Sequence, residues 1–396
     1  MNIRELDSVN FVKKRVLLRT DYNVPIEEGK ITDDRRIEST VKTINYLLEK
    51  QAKVIILSHL GRPKGFDRSC SLKIVKENLE KHLGREIYFI DDINKENVRE
   101  YIDSLPFPSV IMCENIRFYK EEHEQDEKFT ELLSSFGDVY VNDGFGVAHR
   151  SDVSVYKLPL KFKERAAGYL ISKEVKHLSY LNENPKSPYV FIVGGAKVST
   201  KIQIIDNILD HADTVIIGGG LAFTFLKAQG FEIGKSLCEE NMIDECKRIY
   251  SLSREKNVNL LLPLDFAVAK SIDSTERREV KRDEIQEDEK ALDIGELSVE
   301  IFRAAIESAK TVVWNGPMGL FENTTFEYGT LEVAKSIAKA SKNGAYTVAG
   351  GGDSCAAIDK MALNDSFTYI STGGGAMLEF LSGVSLPGIE ALKETK

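Results

Sequence analysis

The residues best suited to chemistry lie where a short apolar run gives way to glycine and lysine. The run Tyr189–Val193 is followed directly by Gly194 and Gly195, and then by Lys197 and Lys201. Glycine lets the backbone turn sharply and approach a ligand closely. We expect a helix to begin here, which would place the two lysines, four residues apart, on one face. Amides at a helix N-terminus beside two cations predict a phosphate site; the alternative is an ordinary strand-to-helix turn with solvated lysines.

An apolar run that ends in glycines recurs further along the chain, in TVIIGGG (214–220), TVVWNGPMG (311–319), YTVAGGGDS (346–354) and FTYISTGGG (367–375). In an open parallel sheet, ligands bind outside the carboxyl ends of the strands. One such turn could be purely structural, but the repetition predicts a shared nucleotide-phosphate site. Asn315 could contact phosphate there and Glu322 a ribose hydroxyl. Asp353 is suited either to cap a helix or to bind Mg²⁺.

Arginines in the first half follow the same pattern. Four lie at or near predicted strand ends or the helix starts that follow them: Arg36, Arg62, Arg117 and Arg150. The planar guanidinium binds carboxylate and phosphate in bidentate fashion. In an acidic protein, this gathering predicts a small, multiply anionic substrate. His59 and His149 each neighbour one of these arginines and are suited either to anion binding or to a structural role.

The elements that must position these residues alternate between strand and helix. The first half predicts strands at 15–19, 53–57, 87–90, 109–112 and 138–141, and the second half repeats the pattern. This alternation predicts a parallel, doubly wound sheet in each half. A helix over 164–184, stopped by Pro185 and Pro188, predicts a joint about which the two ligand sites can move. The charge run at 271–290 predicts a solvated excursion.

Length and composition limit the class of protein. The 396 residues are enough for two domains with separate cores, and the net charge of −9 argues against general binding to nucleic acid or to an anionic membrane. Five scattered cysteines, never spaced C-x-x-C, predict reduced thiols in a cytoplasmic protein. The N-terminus lacks an apolar signal core, and no apolar run approaches the roughly 20 residues that span a bilayer.

Two common nucleotide motifs fail on spacing. The segment 230–236 places three residues between its glycines, where a P-loop has four, and it follows a predicted helix. The dinucleotide pattern G-x-G-x-x-G is broken by Phe223 and by Cys355. A dehydrogenase is therefore disfavoured.

Taken in order, the motifs resemble those of the phosphoglycerate kinase family from end to end. The matching segments are RTDYNVP (19–25), ITDDRRI (31–37), SHLGRPKG (58–65), ENIRF (114–118), NDGFGVAHR (142–150), GGAKVSTK (194–201), WNGPMGLFE (314–322), GGGDS (350–354) and STGGGAMLEFL (371–381). The resemblance implies an α/β fold of two Rossmann-like domains, each with a mainly parallel doubly wound sheet, joined by a hinge helix. It implies a phosphoglycerate domain at 1–165, an interdomain helix at 166–185, a nucleotide domain at 186–378, and a segment at 379–396 that packs back on the first domain.

The implied activity is the reversible, Mg²⁺-dependent transfer of a phosphoryl group between 1,3-bisphosphoglycerate and ADP, giving 3-phosphoglycerate and ATP. The transfer would be direct and in line after hinge closure, in a cytoplasmic monomer. The implied contacts of the glycerate substrate are Asp21, Asn23, Arg36, His59, Leu60, Gly61, Arg62, Arg117, His149 and Arg150. The implied contacts of the nucleotide are Gly195, Lys201, Gly219, Asn315, Glu322, Gly351, Gly352, Asp353 and Ser354, with Asp353 beside the metal. The groups implied to act on the migrating phosphoryl are Arg36, Lys197, Gly351 and Gly374.

Three segments depart from the family pattern. Gly144 stands where alanine is usual, DIGELS (293–298) lacks a Pro-Lys-Thr sequence, and SDVSVYK (151–157) replaces a run of small residues. Two other functions stay open. One is an acyl-phosphate kinase for a different carboxylate. The other is a binding or regulatory protein that keeps this fold; loss of Lys197, Arg36 or Asp353 would favour it, and all three residues are present.

Overall fold

The computed structural model describes residues 3–393. They form two units: unit 1 contains the described residues up to His177 together with those from Ser385 onward, and unit 2 is Leu178–Val384. Each unit is an α/β fold around a six-stranded parallel sheet, which confirms the predicted fold class. No described helix has both the length and the apolar character needed to cross a membrane.

The strands of unit 1 are β1 Arg15–Arg19, β2 Ile26–Glu27, β3 Lys30–Ile31, β4 Lys53–Leu57, β5 Tyr88–Ile90, β6 Ser109–Cys113, β7 Val139–Asn142 and β8 Arg165–Ala167. Strands β2 and β3 form a separate antiparallel hairpin, and the others pair in the order β5-β6-β4-β1-β7-β8. The inner strands β4, β6 and β7 are buried along their whole length, as expected for a parallel sheet covered on both faces.

The helices of unit 1 are α1 Arg35–Glu49, α2 Lys73–Leu83, α3 Val98–Ser104, α4 Glu121–Glu124, α5 Glu127–Ser134, α6 Leu158–Leu160 and the start of α7 Tyr169–Glu183. Helix α1 is amphipathic: Ile37, Ile44 and Leu48 lie on its buried side, in one core cluster with Val16 and Val54 of the sheet. A short helix at Pro387–Glu390 also belongs to unit 1, where the Gly388 amide donates to the Ala148 carbonyl at 2.8 Å.

The predicted helix over 164–184 is wrong at its N-terminal end. Arg165–Ala167 forms β8, the sixth strand, which pairs in parallel with β7, and α7 begins only at Tyr169. Alanines favour a helix in isolation, but sheet pairing and burial of Ala166 and Ala167 decide the conformation here.

The strands of unit 2 are β9 Tyr189–Val193, β10 Thr214–Ile217, β11 Asn259–Leu261, β12 Asp265–Ala269, β13 Arg278–Lys281, β14 Lys290–Ile294, β15 Thr311–Asn315, β16 Tyr346–Gly350 and β17 Tyr369–Ser371. The large sheet has the order β11-β10-β9-β15-β16-β17. This is the order 3-2-1-4-5-6 of the Rossmann fold, whose topological switch point lies between its first and fourth strands. In unit 2 that point lies between β9 and β15.

The helices of unit 2 are the end of α7, α8 Ile202–Ile208, α9 Leu221–Ala228, α10 Ile243–Glu255, α11 Glu296–Ser308, α12 Tyr328–Lys342, α13 Gly352–Lys360 and α14 Gly375–Leu381. The fully buried Trp314 of β15 lies in the core cluster with Phe302 of α11 and Ile337 of α12. This core fixes the strand ends that carry the glycine loops.

The prediction that residues 271–290 form only a solvent-exposed insertion is also wrong in part. This segment contains β13, which pairs with β12 in a three-stranded antiparallel sheet of order β13-β12-β14. Val280 is its one buried strand residue and stands opposite Phe266. The sequence does not reveal this strand, because it has a single inward-facing apolar residue among charged ones. The alternation of apolar and polar residues that predicts a strand is therefore absent.

Candidate functional site

The predicted substrate residues of unit 1 follow four adjacent strands of its sheet. Asp21 and Asn23 follow β1, the segment 59–62 follows β4, Arg117 follows β6, and the loop with His149 and Arg150 follows β7. Because these strands are parallel, their carboxyl ends share one edge of the sheet. The structure therefore brings these strand-end segments to one edge of the sheet.

Asp21 holds the guanidinium of Arg36. Arg36 Nη1 donates to Asp21 Oδ2 at 2.8 Å and to the Asn23 carbonyl at 3.2 Å. Asn23 in turn accepts at Oδ1 from the Gly61 amide at 2.8 Å. The loops after β1 and β4 and the start of α1 are thus joined by hydrogen bonds. Arg36 is only partly buried, so other N–H groups of its guanidinium can reach a ligand.

His59 is a neutral, buried imidazole. Burial, and after it the positive charges of Arg19, Arg117 and Arg36, hold the pKa of His59 well below its usual range. Its Nδ1 lies 3.5 Å from Arg19 Nη2. A guanidinium has no acceptor, so Nδ1 accepts and the ring proton is on Nε2. Nε2 lies 3.8 Å from Asp21 Oδ1.

Arg117 is a buried guanidinium that the described residues satisfy only in part. It is 5% exposed, and Nη1 donates to the Gly61 carbonyl at 2.8 Å. Its Nε and Nη2 have no hydrogen-bonding partner among the described residues. Burial, followed by repulsion from Arg19 and Arg150, lowers the pKa of Arg117 to about 10.

A cavity of about 250 Å³ opens in front of Arg117. It is lined by Arg62, Pro63, Arg117, His123 and Arg150. Burying N–H groups of a cation without acceptors is costly, and no carboxylate lines this cavity. An anionic ligand would satisfy them. The other predicted substrate residues do not line this cavity: Asp21, Asn23, Arg36, His59, Leu60, Gly61 and His149.

Leu60 and Gly61 act through their backbone. The Leu60 carbonyl accepts from the side-chain Nδ2 of the buried Asn115 at 2.7 Å. Gly61 has φ +66°, and a Cβ there would lie 2.8 Å from Cys70 Sγ. Asn115 also caps the turn that carries Arg117, accepting from the Arg117 amide at 3.0 Å. Asn115 was not predicted as a site residue, although it lies within ENIRF.

Sequence reasoning also missed a buried chain of polar groups behind His59. Arg19 is fully buried and donates from Nε to Ser154 Oγ at 2.7 Å, and Ser154 Oγ donates to Glu122 Oε1. Burial raises the pKa of Glu122, and Arg19 opposes this. An arginine closing the apolar run RVLLR was the available signal.

In unit 2, the loops after β9, β10 and β15 pack backbone against backbone. The Gly194 amide donates to the Asn315 carbonyl at 2.9 Å, and the Gly195 amide to that of Pro317 at 3.0 Å. A Cβ on Gly194 would lie 2.1 Å from the Pro317 oxygen, and one on Gly219 would lie 2.7 Å from the Gly195 nitrogen. Glycine is therefore required at these close approaches, which form the switch-point crevice.

Lys201 and Asn315 meet at this crevice. Lys201 Nζ donates to Asn315 Oδ1, and Asn315 Nδ2 donates to the Gly350 carbonyl at 2.7 Å. Burial lowers the pKa of Lys201 to about 8, and the charge of Asp353 opposes the shift. Ser354 Oγ accepts from the Gly316 amide at 2.7 Å.

The prediction that Lys197 and Lys201 share a helix face is wrong. Helix α8 begins at Ile202, after a turn in which Lys197 is exposed. Ser199 is held outside the helix because its amide and hydroxyl both donate to Glu239, at 2.9 and 2.6 Å. The two lysines therefore occupy different environments.

Gly351 ends the loop before α13, and Gly352 and Asp353 are the first two residues of that helix. Gly351 has φ +98° at the N-cap, so the alternative of Asp353 as the cap is wrong. Asp353 lies in the first helical turn with its side chain exposed. Partial burial of the carboxylate and the charge of Glu322 raise its pKa, and Lys201 opposes this. Gly374, at φ +53°, stands at the corresponding N-cap of α14.

A cavity of about 380 Å³ lies beside these loops. Four predicted nucleotide residues line it: Gly195, Gly219, Glu322 and Asp353. Sequence reasoning missed its apolar wall, which includes Phe223, Leu237, Phe266, Met318 and Leu320. A cavity with apolar walls beside glycine amides suits a planar base joined to an anionic chain. The other predicted nucleotide residues are not part of its lining: Lys201, Asn315, Gly351, Gly352 and Ser354.

Asp293, in the segment that departs from the family pattern, also lines this cavity. Its carboxylate accepts from the amides of Ile294 at 2.9 Å and Gly329 at 2.8 Å, and burial raises its pKa to about 7. Asp265 of β12 holds the other end of this segment, because its carboxylate accepts from the amides of Leu297 and Ser298 in the first turn of α11. The divergent loop is thus anchored by carboxylates.

For a metal, no cluster of three His, Cys, Asp or Glu side chains occurs within residues 3–393. Mg²⁺ bound to a nucleotide needs only one or two carboxylates, because phosphate oxygens and water complete its shell. The exposed carboxylate of Asp353 beside the cavity fits this requirement.

An arginine-lined anion cavity in one unit and a glycine-lined crevice with an apolar cavity in the other are the features of a phosphotransferase. The phosphoglycerate kinase family model matches residues 6–384. The chain belongs to the phosphoglycerate kinase family, and it is a phosphotransferase with a carboxyl group as acceptor.

Relatives agree with this assignment. The chain is 47% identical over 397 residues to a phosphoglycerate kinase of Clostridium botulinum (strain 657 / Type Ba4), covering 99% of each sequence. It is 45% identical over 398 residues to that of Finegoldia magna, covering 100% of each. Among solved structures, the phosphoglycerate kinase of Coxiella burnetii superposes with a TM-score of 0.87 at 40% identity, covering 98% of both chains. That of Pyrococcus horikoshii OT3 gives 0.86 at 35% identity, also over 98% of both.

Proposed function

We propose that this enzyme reversibly transfers a phosphoryl group between 1,3-bisphosphoglycerate and ADP, giving 3-phosphoglycerate and ATP, with Mg²⁺. The observation that carries the proposal is Arg117, whose buried Nε and Nη2 find no acceptor among the described residues, in a cavity shared with Arg62 and Arg150. Such a site is incomplete without a multiply anionic ligand.

On the substrate side, Arg62, Arg117 and Arg150 would bind the phosphate of phosphoglycerate. His59, neutral and carrying its proton on Nε2, would donate one hydrogen bond without adding charge. Asp21, Asn23, Leu60 and Gly61 would fix the loops, and His149 would contribute from the loop after β7. Arg36 would reach the carboxyl end of the substrate, where the chemistry occurs.

On the nucleotide side, the apolar cavity would take the base and Glu322 a ribose hydroxyl. Lys201, Asn315, Ser354 and the amides of the glycine loops would bind the phosphates. Asp353 would hold Mg²⁺, which when bound supplies positive charge to the phosphate oxygens.

The chemical step needs no phospho-enzyme. A carboxylate oxygen of 3-phosphoglycerate attacks the γ-phosphorus of ATP, the bond from that phosphorus to the bridging oxygen breaks, and ADP leaves. A carboxylate is already deprotonated at neutral pH, so no general base is required. Arg36 from unit 1, and Lys197 with the amides of Gly351 and Gly374 from unit 2, would neutralise the migrating group after closure about the segment 166–185.

The test is a coupled assay of ADP formation from ATP and Mg²⁺ with 3-phosphoglycerate, compared with acetate and carbamate. We expect turnover with 3-phosphoglycerate and little with acetate or carbamate, because neither of these two carboxylates carries a phosphate that the arginine cavity could bind. Faster turnover of acetate or carbamate would establish a different acyl-phosphate kinase. Omitting Mg²⁺ should abolish the reaction.

The proposal includes a cytoplasmic monomer that binds neither nucleic acid nor membrane. All five cysteines are free thiols, as expected for a reducing compartment, and the net charge is −9. Light scattering after size exclusion should give a mass near 44.4 kDa, and a mass twice that value would overturn the monomer.

A further inference from the structure

His123 lines the arginine cavity, although no sequence motif pointed to it. It lies on α4, and the cavity's other lining residues are Arg62, Pro63, Arg117 and Arg150. His123 Nδ1 lies 3.0 Å from Asp152 Oδ1, and its side chain is about half exposed while that of Asp152 is nearly buried. An imidazole is thus fixed at the edge of a cavity otherwise lined by arginines and one proline.

The contact with Asp152 decides which ring nitrogen faces a ligand. A carboxylate accepts, so Nδ1 carries a proton, and Nε2 is the polar atom left for a ligand in the cavity. In the neutral ring, Nε2 presents a lone pair, which repels an anionic oxygen. In the protonated ring, Nε2 donates. An anion in this cavity therefore favours the protonated form of His123.

We propose that His123 is a further substrate-binding residue, which donates from Nε2 to the phosphate of phosphoglycerate and takes up a proton when the substrate binds. Asp152 is its positioning residue. The inference rests on the proposed function, since it assigns the same substrate to the cavity.

Charged groups of both signs surround this imidazole. On its own segment lie Lys120, Glu121, Glu122 and Glu124, and Glu122 is buried and bonded to Ser154. The turn after Asp152 carries Tyr156 and Lys157, and the Lys157 ammonium donates to the Gln125 carbonyl. From the cavity come the charges of Arg62, Arg117 and Arg150. A phosphate bound in the cavity would neutralise the charges of these arginines.

The experiment is calorimetric titration of 3-phosphoglycerate into the full-length enzyme and into His123→Gln. The titrations are run at pH 6 and pH 8.5, in buffers of different ionisation enthalpy. Glutamine keeps a hydrogen-bonding side chain of similar size that does not titrate. The matched control is His82→Gln, which removes the histidine of another His–Asp pair, 3.0 Å from Asp34 and outside the cavity.

At pH 6, His123→Gln should weaken binding by about fivefold, and at pH 8.5 by less than about twofold, because only the protonated ring makes a charge-assisted bond. The wild type should take up more protons than the variant. The phosphate of the ligand titrates near pH 6 in both proteins, so the difference isolates His123. His82→Gln should match the wild type.

Equal affinity and equal proton uptake in wild type and His123→Gln would overturn the role of His123 while leaving the proposed function intact, provided that the wild type still turns over 3-phosphoglycerate. A wild type that neither binds nor turns over this substrate would overturn both. An equal loss at the two pH values would show a contact without the proton and would also contradict the inference.

Discussion

At the scale of single residues, the arginine cavity buries positive charge that the described residues only partly compensate. Arg19 and Arg117 are buried close enough to lower the pKa of His59 and, in the case of Arg19, that of Arg117. Only Arg19 reaches a buried carboxylate, through Ser154. In the proposed function, a bound anion would satisfy the N–H groups of Arg117 and recover the cost of burying them.

Replacing Arg117 should separate stability from binding. In Arg117→Met the free energy of unfolding without substrate should rise by about 1 kcal/mol, because an unsatisfied buried charge is removed. The KM for 3-phosphoglycerate should rise by about 30-fold, since a charge-assisted bond of roughly 2 kcal/mol is lost.

Urea unfolding and steady-state kinetics measure the two effects of this substitution. Arg85→Met, at an exposed arginine outside the cavity, controls for the change in net charge. A marked loss of stability with an unchanged KM would mean that Arg117 has a structural role only.

At this scale the sequence predicts site residues whose type is distinctive, and it misses residues that reach the site only through the fold. Arginines beside strand ends are visible as a pattern, and the structure places Arg62, Arg117 and Arg150 around one cavity. His123 and the apolar wall residue Phe266 line their cavities because segments that are separate in sequence pack together. The spacing of residues within one segment cannot predict such a position.

At the scale of elements, the glycine loops of unit 2 set the shape of the switch-point crevice. Gly194→Ala would place a methyl group 2.1 Å from the Pro317 oxygen and 2.7 Å from that of Gly316. We expect the free energy of unfolding to fall by about 3 kcal/mol, since backbone cannot move aside as a side chain can.

Gly352→Ala is the matched control for Gly194→Ala. Nothing lies within 4 Å of its Cβ, and its φ is an ordinary one, so its stability should stay within about 0.5 kcal/mol of the wild type. Chemical denaturation of both variants tests the comparison, and similar stabilities would refute the account of the loop packing.

Helix α7 begins on a buried carboxylate. Asp143 Oδ1 accepts from the amides of Leu170 at 2.9 Å and Ile171 at 3.2 Å. Burial raises the pKa of Asp143 to about 7, and the hydroxyl of Thr43 and these amides oppose the shift. In the unfolded chain an aspartate has a pKa of about 3.9.

The raised pKa of Asp143 gives a pH-dependent stability. Between about pH 4 and 7 the folded state keeps a proton that the unfolded state loses, so this contribution to stability falls as the pH rises and is flat above that window. Asp143→Asn keeps the accepting oxygen and cannot ionise. The free energy of unfolding of Asp143→Asn minus that of the wild type should therefore increase by about 2.6 kcal/mol from pH 5 to pH 8. If the free energies of unfolding of the two proteins changed by the same amount between pH 5 and pH 8, the assignment would be contradicted.

Most strands and helices could be predicted because each carries a local pattern of apolar residues. The exceptions have tertiary causes. β8 owes its conformation to pairing with β7, and the turn at 197–201 owes its shape to Glu239, about 40 residues further along the chain. Propensity alone cannot register such partners.

At the scale of the whole molecule, alternating strands and helices predict two parallel sheets but not their strand order. The order in unit 2 places β9 beside β15, more than 100 residues apart in sequence, and so brings Gly194 to Asn315. That pairing creates the crevice. The family resemblance predicted the nucleotide residues of this region without giving the strand order, because family motifs record which residues recur and not how the strands pair.

The central claim is that charged groups from both units act on one migrating phosphoryl group. The most direct test is kcat with saturating 3-phosphoglycerate, ATP and Mg²⁺ for Arg36→Ala and Lys197→Ala, with dissociation constants measured on the same proteins and folding checked by circular dichroism. We predict that each substitution lowers kcat by about 100- to 1000-fold while dissociation constants change by less than tenfold. A kcat near that of the wild type in either folded variant would contradict the claim.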